Sequence, residues 1–171
     1  LEFRRVLFRS KLIKDLLDLA KLEDEDVKLT YENANLSKLI EKSILPLESL
    51  IYEKNIKLDY NLEENIYLDV NTNEIKQLVS ILLDNAIKHS SENGQIIVDL
   101  KKVKEGIKLD VKNIGDKIPK GEEEKIFERF YRIDKSRNRN ENRYGLGLSI
   151  AKSITERHNG KIRAYSSDEY T

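Results

Sequence analysis

The chain has 171 residues, with 31 Lys+Arg balanced by 31 Asp+Glu, and a formal net charge of zero gives no support to a generalised nucleic-acid surface. Cysteine is absent, which excludes a disulfide scaffold, a thiol nucleophile and a cysteine metal site, and fits a reducing compartment. Hydrophobic content of 39% beside 36% charged residues, with no apolar run long enough to span a bilayer, describes a globular domain with a heavily solvated surface.

The first ten residues, LEFRRVLFRS, differ from all that follows, because Arg returns in numbers only after residue 128. A codon string that would encode them resembles a widely used sequencing adapter translated in frame, so residues 1–10 read as a non-native stretch to be left out of fold reasoning. A short basic amphipathic arm is the other reading. Without Arg4, Arg5, Arg9 and Glu2 the balance is 28 basic to 30 acidic residues. An adapter joined at residue 11 implies a natural chain that begins further upstream.

In KLIKDLLDLAKLEDED, Leu12, Leu16, Leu19 and Leu22 recur at helical spacing, with Ile13, Leu17 and Ala20 widening the stripe, which predicts the end of an amphipathic helix over 11–26. VKLTYEN reads as a short strand. NLSKLIEKSILPLESLIYEKN reads as a helix started by Asn35 or Ser37 and bent midway by Pro46. IKLDYNL and NIYLDV alternate apolar and polar residues, as half-buried strands do. A long helix follows from about Asn73 to His89, then strands QIIVDLKK and GIKLDVKN joined by a Glu-Gly turn. From Ile114 to Tyr144 the chain is polar and irregular, apart from a short helical stretch in GEEEKIFERFYRI. A helix, LGLSIAKSITERH, and a strand, KIRAYS, come last, and no internal repeat is visible.

Three places carry chemical clues. On the long helix, Ile75, Leu78, Val79, Leu82 and Ala86 form an apolar face, and Asn85 lies on the side of Leu78 and Leu82. A buried amide there costs free energy unless its hydrogen bonds are met; a neighbouring backbone group or a ligand would meet them. Lys88 and His89 sit one turn further along the same side, within reach of an anion held by a metal on Asn85. In LDVKNIGDKIP, a strand ends at Asn113 and Gly115 follows in a tight turn, so that a short polar side chain meets a ligand where the backbone comes close. In RYGLGLSIAK, Gly145 and Gly147 open a helix whose free N–H groups and dipole favour phosphate.

The order of these elements, helix Asn, strand-end Asn-x-Gly, IFERFYR, then GLGL at a helix start, resembles the nucleotide-binding domain of sensor histidine kinases. That domain belongs to the superfamily of gyrase, heat-shock chaperone and mismatch-repair ATPases. The resemblance runs from about residue 11 to 171. It implies an α/β fold, a two-layer sandwich with a mixed sheet packed on helices (the Bergerat or GHKL fold), preceded by the tail of a dimerisation helix. Residues 11–26 would be the end of the dimerisation and phosphoacceptor hairpin. Residues 27–171 would be the ATP-binding domain, C-terminally truncated, since KIRAYSSDEYT lacks the closing strand that normally pairs with it and leaves a sheet edge open.

By the same resemblance ATP binds between the long helix and a lid over roughly Asp116 to Tyr144, and Asn85-Ala86 end the helix motif with Asn85 as the Mg²⁺ ligand. Asn113 stands in the place of the adenine-recognising Asp, Phe127 and Phe130 mark the phenylalanine motif, and Gly145 and Gly147 line the phosphates. Lys88, His89, Gly115, Ile118, Leu146 and Leu148 complete the implied nucleotide contacts. Asn85, Lys88 and Arg132 are the implied catalytic positions, and Lys135 and Arg137 further candidates for the γ-phosphate or the partner hairpin. The basic DKSRNRNENR of the lid has no aromatic interleaving of the kind that nucleic acid would ask for.

Several positions depart from the family's commonest pattern. Ile81 stands one turn before Asn85, where a second Asn is frequent. Asn113 replaces Asp, but its amide oxygen still accepts. Lys117 stands where a second glycine is common, and Arg143-Tyr144 where Gly and a small residue are common. Ile81 also separates reaction classes, because the ATPase branches carry there a Glu that activates water. Asp84 lies about 100° round the helix from Asn85 and is a poor substitute. Without a placed base, transfer to a protein histidine is the better reading. His89 belongs to the ATP site and His158, in ERHNGKI, reads as a last-turn cation. Neither has the surroundings of an acceptor, which places the acceptor histidine upstream.

The reading is therefore a kinase that uses Mg-ATP to phosphorylate its own dimerisation hairpin for relay to a response regulator, as a homodimer, without nucleic acid. Its place would be a cytoplasmic domain of a protein anchored to the membrane only by upstream segments. A superfamily ATPase or a serine-directed kinase of the anti-sigma type is the second reading, and a degenerate nucleotide-binding scaffold the third.

Overall fold

The computed structural model describes residues 2–24, 30–133, 144–167 and 169–171. In chain order the helices are α1 (Glu2–Glu23), α2 (Leu36–Ile44), α3 (Glu48–Glu53), α4 (Thr72–His89) and α5 (Gly147–Arg157). The strands are β1 (Glu32–Asn35), β2 (Lys57–Leu62), β3 (Tyr67–Val70), β4 (Gln95–Val103) and β5 (Gly106–Asn113). These elements belong to two compact units, residues 29–118 with 165–171, and residues 1–28 with 119–164.

In the first unit the helix starts follow from their caps. Asn35 accepts from the Lys38 amide at 3.1 Å and starts α2. Asn71 accepts from the Glu74 amide at 3.0 Å and starts α4, with Glu74 three residues on as in a capping box. Pro46 does more than bend the second predicted helix. Its ring has no N–H and crowds the preceding turn, so a 3₁₀ turn over Leu45–Leu47 separates α2 from α3.

β2, β4 and β5 form a mixed sheet in the order β2-β4-β5, with β2 parallel and β5 antiparallel to β4, while β1 and β3 pair separately as an antiparallel ribbon. The period of two in β4 fixes its faces. Ile96, Val98 and Leu100 are buried, and they join Leu36, Ile40 and Ile44 of α2, Ile51 of α3 and Val79 and Leu83 of α4 in one core. The opposite face is a charged ladder in which Lys57–Asp59 (2.8 Å), Lys112–Asp99 (3.0 Å) and Lys108–Asp110 (2.9 Å) alternate in sign. The Lys57 hydrogen bond, then that of Gln95, holds the Asp59 carboxyl below its ordinary range. Hydrogen bonds to Asp110 and Asp99 hold the Lys108 and Lys112 ammonium groups above theirs.

In the second unit α1 packs on α5, and the Arg157 guanidinium donates to the Lys21 carbonyl at 2.8 Å. Leu19, Phe127, Leu146, Ile150, Ala151 and Ile154 are its buried apolar residues among those described.

Three predicted elements are corrected. The strand read in VKLTYEN lies later, as β1 over Glu32–Asn35, sharing only Glu32 and Asn33 with it, while residues 27–29 lie outside the described residues. GEEEKIFERFYRI forms only a single 3₁₀ turn over Lys125–Phe127: Glu128 is already extended and Phe130 takes a left-handed φ of 62°, which no helix continues through. KIRAYS is not a strand. Residues 161–167 alternate exposed and half-buried as a strand would, but a strand exists only in a ladder, and among the described residues no neighbour pairs with them. No helix among the described residues is long and apolar enough to cross a membrane.

Candidate functional site

The residues singled out by their sequence fall in both units. In the first they gather where α4 ends against β5 and the loop that follows it. The buried stripe of α4 is Val79, Leu83, Ala86 and Ile87, whereas Leu78, Leu82 and Asn85 are half-buried. The expectation of a core amide at Asn85 is thereby corrected. At 100° per residue the stripe through Leu83 and Ile87 faces inward and Asn85 lies at its margin. Among the described residues its amide has no hydrogen-bond partner, so it is neither a core amide nor satisfied by backbone.

The last turn of α4, with half-buried Lys88 and His89, is stitched to the loop after β5 through one carbonyl. The His89 oxygen accepts from the Asp116 amide at 2.8 Å and from Asn113 Nδ2 at 3.2 Å. His89 Nδ1 also lies 3.3 Å from Asp116 Oδ2. Gly115 is required there by space alone: a Cβ would overlap the His89 carbonyl oxygen and lie 2.8 Å from Ser90 Cα, both backbone atoms that have nowhere to go.

Asn113 is 5% exposed, and its backbone exchanges hydrogen bonds with Thr171 at 2.8 and 2.9 Å. A carbonyl can only accept, so the contact with His89 turns the Asn113 NH₂ toward it and leaves Oδ1 with no donor among the described residues. The half-buried Ile118 ends this loop.

In the second unit Phe127 is buried, while Phe130 is 59% exposed and donates its N–H to the Gly145 carbonyl at 3.0 Å. Gly145 is left-handed at φ 70°, and a Cβ would stand 2.6 Å from the Tyr131 carbonyl oxygen, so glycine is required by both conformation and space. Leu146 is buried, and α5 starts at Gly147 with no side-chain cap; Leu148 and Arg132 are half-buried. Lys135, Arg137 and Arg143 lie outside the described residues. His158 caps the far end of α5, with Nδ1 donating to the Ile154 carbonyl at 2.8 Å.

The structure thus brings together Asn113, Gly115, Ile118 and His89 in one unit, and Phe130 with Gly145 at the entry to α5 (Leu146, Gly147, Leu148) in the other, whereas no hydrogen bond or ion pair joins Arg132 to that entry among the described residues. Not foreseen from the sequence were Asp116, which ties the Asn113–Ile118 loop to His89, and Ser166 and Thr171, which bond that loop from outside it. No motif marks them; the two hydroxyls flanking the polar SDEY are the only trace in the sequence.

An α/β domain with an Asn on its long helix, an Asn-x-Gly loop and a glycine-opened helix defines a nucleotide-binding class. Residues 70–171 match the family described as histidine kinase-, DNA gyrase B-, and HSP90-like ATPase, and the chain belongs to it. Within it, the chain is 40% identical over 154 residues to the sensor protein DltS of Streptococcus agalactiae, covering 90% of this chain and 39% of DltS. The solved catalytic domain of histidine kinase ThkA, in a nucleotide-free form, superposes with a TM-score of 0.72 at 29% identity, over 82% of this chain and 90% of that one. ThkA in complex with the response regulator protein TrrA gives a TM-score of 0.76 at 28% identity, over 94% of this chain and 45% of that one. The chain is a catalytic ATP-binding domain of the sensor histidine kinase kind, and it spans about two fifths of the curated relative.

Proposed function

We propose that this domain binds Mg-ATP and transfers its γ-phosphoryl group to a histidine on a dimerisation hairpin, for relay to a response regulator. The observation that carries the reading is Asn113, whose NH₂ is committed to the His89 carbonyl, which leaves its acceptor oxygen for a donor such as the amino group of adenine. Asn85 suits Mg²⁺, because its amide offers one hard oxygen not committed to protein, and this ion keeps waters and takes its other ligands from phosphates. When bound, the ion neutralises phosphate charge. The protein's own groups supply position. In the first unit Asn113 holds the base and Lys88 adds positive charge; in the second, taken by itself, the uncapped start of α5 at Gly147 offers N–H groups suited to phosphate and Arg132 is a further cation.

Transfer is favoured over hydrolysis by Ile81, an aliphatic residue one turn before Asn85, where a water-activating carboxylate would have to stand. The complex of ThkA with TrrA supports a response regulator as the downstream partner. Homodimerisation through the hairpin and anchoring of the whole protein to a membrane complete the proposal. Calorimetric titration with a non-hydrolysable ATP analogue tests the site. Asn85→Ala should lose Mg-dependent affinity while melting like the parent protein, and unchanged affinity would remove Asn85 as the metal ligand.

A further inference from the structure

We infer that Ser166 and Thr171 are positioning residues for the base-recognising loop Asn113–Ile118, an inference that rests on the nucleotide reading above. The turn between them makes the arrangement. The Ser167 amide donates to the Tyr170 carbonyl at 2.7 Å, and Ser167 Oγ accepts from the Tyr170 amide at 3.0 Å. Closing the chain over these residues sets the Ser166 and Thr171 hydroxyls side by side, 2.8 Å apart. Each then reaches the loop: the Ile118 amide donates to Ser166 Oγ at 2.8 Å, and Thr171 Oγ1 donates to the Asp116 carbonyl at 3.1 Å.

Every proton in this chain has one possible direction. An amide N–H only donates and a carbonyl only accepts, so Thr171 commits its proton to Asp116, and Ser166 must donate to Thr171. The result runs from Ile118 N–H through Ser166 and then Thr171 to Asp116 C=O, without a break or a reversal. Hydrogen bonds aligned head to tail polarise one another, so the two hydroxyls act as a unit. Together with the backbone pair between Asn113 and Thr171, they fix the loop at its start, its middle and its end. The Asp116 amide is meanwhile held to His89. The place of the loop that starts at Asn113 therefore depends on two hydroxyls that touch no reacting group.

The test titrates adenosine and a non-hydrolysable ATP analogue into the parent chain, Ser166→Ala, Thr171→Val, the double variant, and the hydroxyl-keeping Ser166→Thr and Thr171→Ser. Loss of one relay hydroxyl should weaken both ligands by the same factor, about three- to tenfold, because the base end is disturbed and the phosphate end is not. The double variant should be no weaker than the worse single variant, and Thr171→Ser should stay within about twofold of the parent, since the chain of donors is intact. Unchanged affinity in both Ser166→Ala and Thr171→Val, a loss confined to the ATP analogue, or a Thr171→Ser as weak as Thr171→Val would overturn the inference. Failure of the parent chain to bind either ligand would instead remove the nucleotide reading on which it rests. Exchange of the Ile118 amide with solvent reads the relay without any ligand. It should speed up at least about tenfold in Ser166→Ala, and an unchanged rate would show that the relay does not exist.

Discussion

Gly115→Ala is the sharpest perturbation of the loop, because the structure separates its causes. Gly115 is not among the left-handed glycines, so alanine meets no backbone penalty there and the whole effect is steric. The new Cβ would occupy the His89 carbonyl oxygen and press on Ser90 Cα, and neither can turn aside as a side chain could. The loop must lift off α4. That movement breaks the bonds from the Asp116 amide and Asn113 Nδ2 to His89, and strains the one from the Ser91 amide to the Ile114 carbonyl. At about 1 kcal/mol net for each neutral hydrogen bond, the loss is about 2–3 kcal/mol, a large part of the roughly 5–15 kcal/mol that holds a domain folded. Urea denaturation should show that loss, and titration with an ATP analogue should show affinity falling at least about tenfold, because Asn113 loses the carbonyl that orients it. Gly106→Ala is the matched control. Gly106 is left-handed at φ 137° with nothing within 4 Å of its Cβ position, so alanine costs about 1–2 kcal/mol of strain and leaves nucleotide affinity alone. Gly115→Ala with the stability and affinity of the parent chain would refute the argument that this contact is both tight and orienting.

Two other outcomes follow from the same structure. Gly147→Val, at the uncapped start of α5, should weaken the ATP analogue more than adenosine, because only the former presents phosphates to those N–H groups; equal losses would indicate a damaged helix entry instead. Asp59 is held below its ordinary range chiefly by Lys57, so its contribution is present above the unfolded-state value near 4 and is lost as the pH falls through the folded value. Asp59→Asn should accordingly flatten the fall in urea midpoint between about pH 5 and about pH 3, and an unchanged slope would show that the pair does not contribute.

What the sequence discloses and what it hides follow a physical line. α4 is legible because its start is a local cap, Asn71 with Glu74, and its apolar residues repeat at helical spacing. Which of them face inward is not, since the stripe is wide enough to be read through Leu78 and Leu82 or through Leu83 and Ile87, and only packing against the sheet decides. The alternation of KIRAYS is real in the exposure of its residues, but the ladder that would make it a strand depends on a partner that no local pattern reveals. Gly115 and Gly145 are legible as special positions; the reason for each, a carbonyl of His89 or of Tyr131 in the way, is a contact at long range. Ser166 and Thr171 are hidden altogether. Their partners Ile118 and Asp116 lie 48 and 55 residues away, and their value arises only once the turn sets them side by side.

The central claim, a phosphoryl transferase to histidine, is tested most directly by following label from γ-labelled ATP. The Nδ1 atoms of His89 and His158 are engaged by Asp116 and by the Ile154 carbonyl, and Ile81 offers no base to water. The chain with Mg-ATP alone should therefore bind nucleotide, neither label itself nor release phosphate at an appreciable rate, and pass label to a separately supplied helical hairpin that carries an acceptor histidine. Transfer needs proximity and no new catalytic group, so it should rise with hairpin concentration. The predicted product is a phosphoramidate on the hairpin, labile in acid and stable in base. Acid-stable label on the chain itself, or rapid phosphate release without the hairpin, would contradict the account.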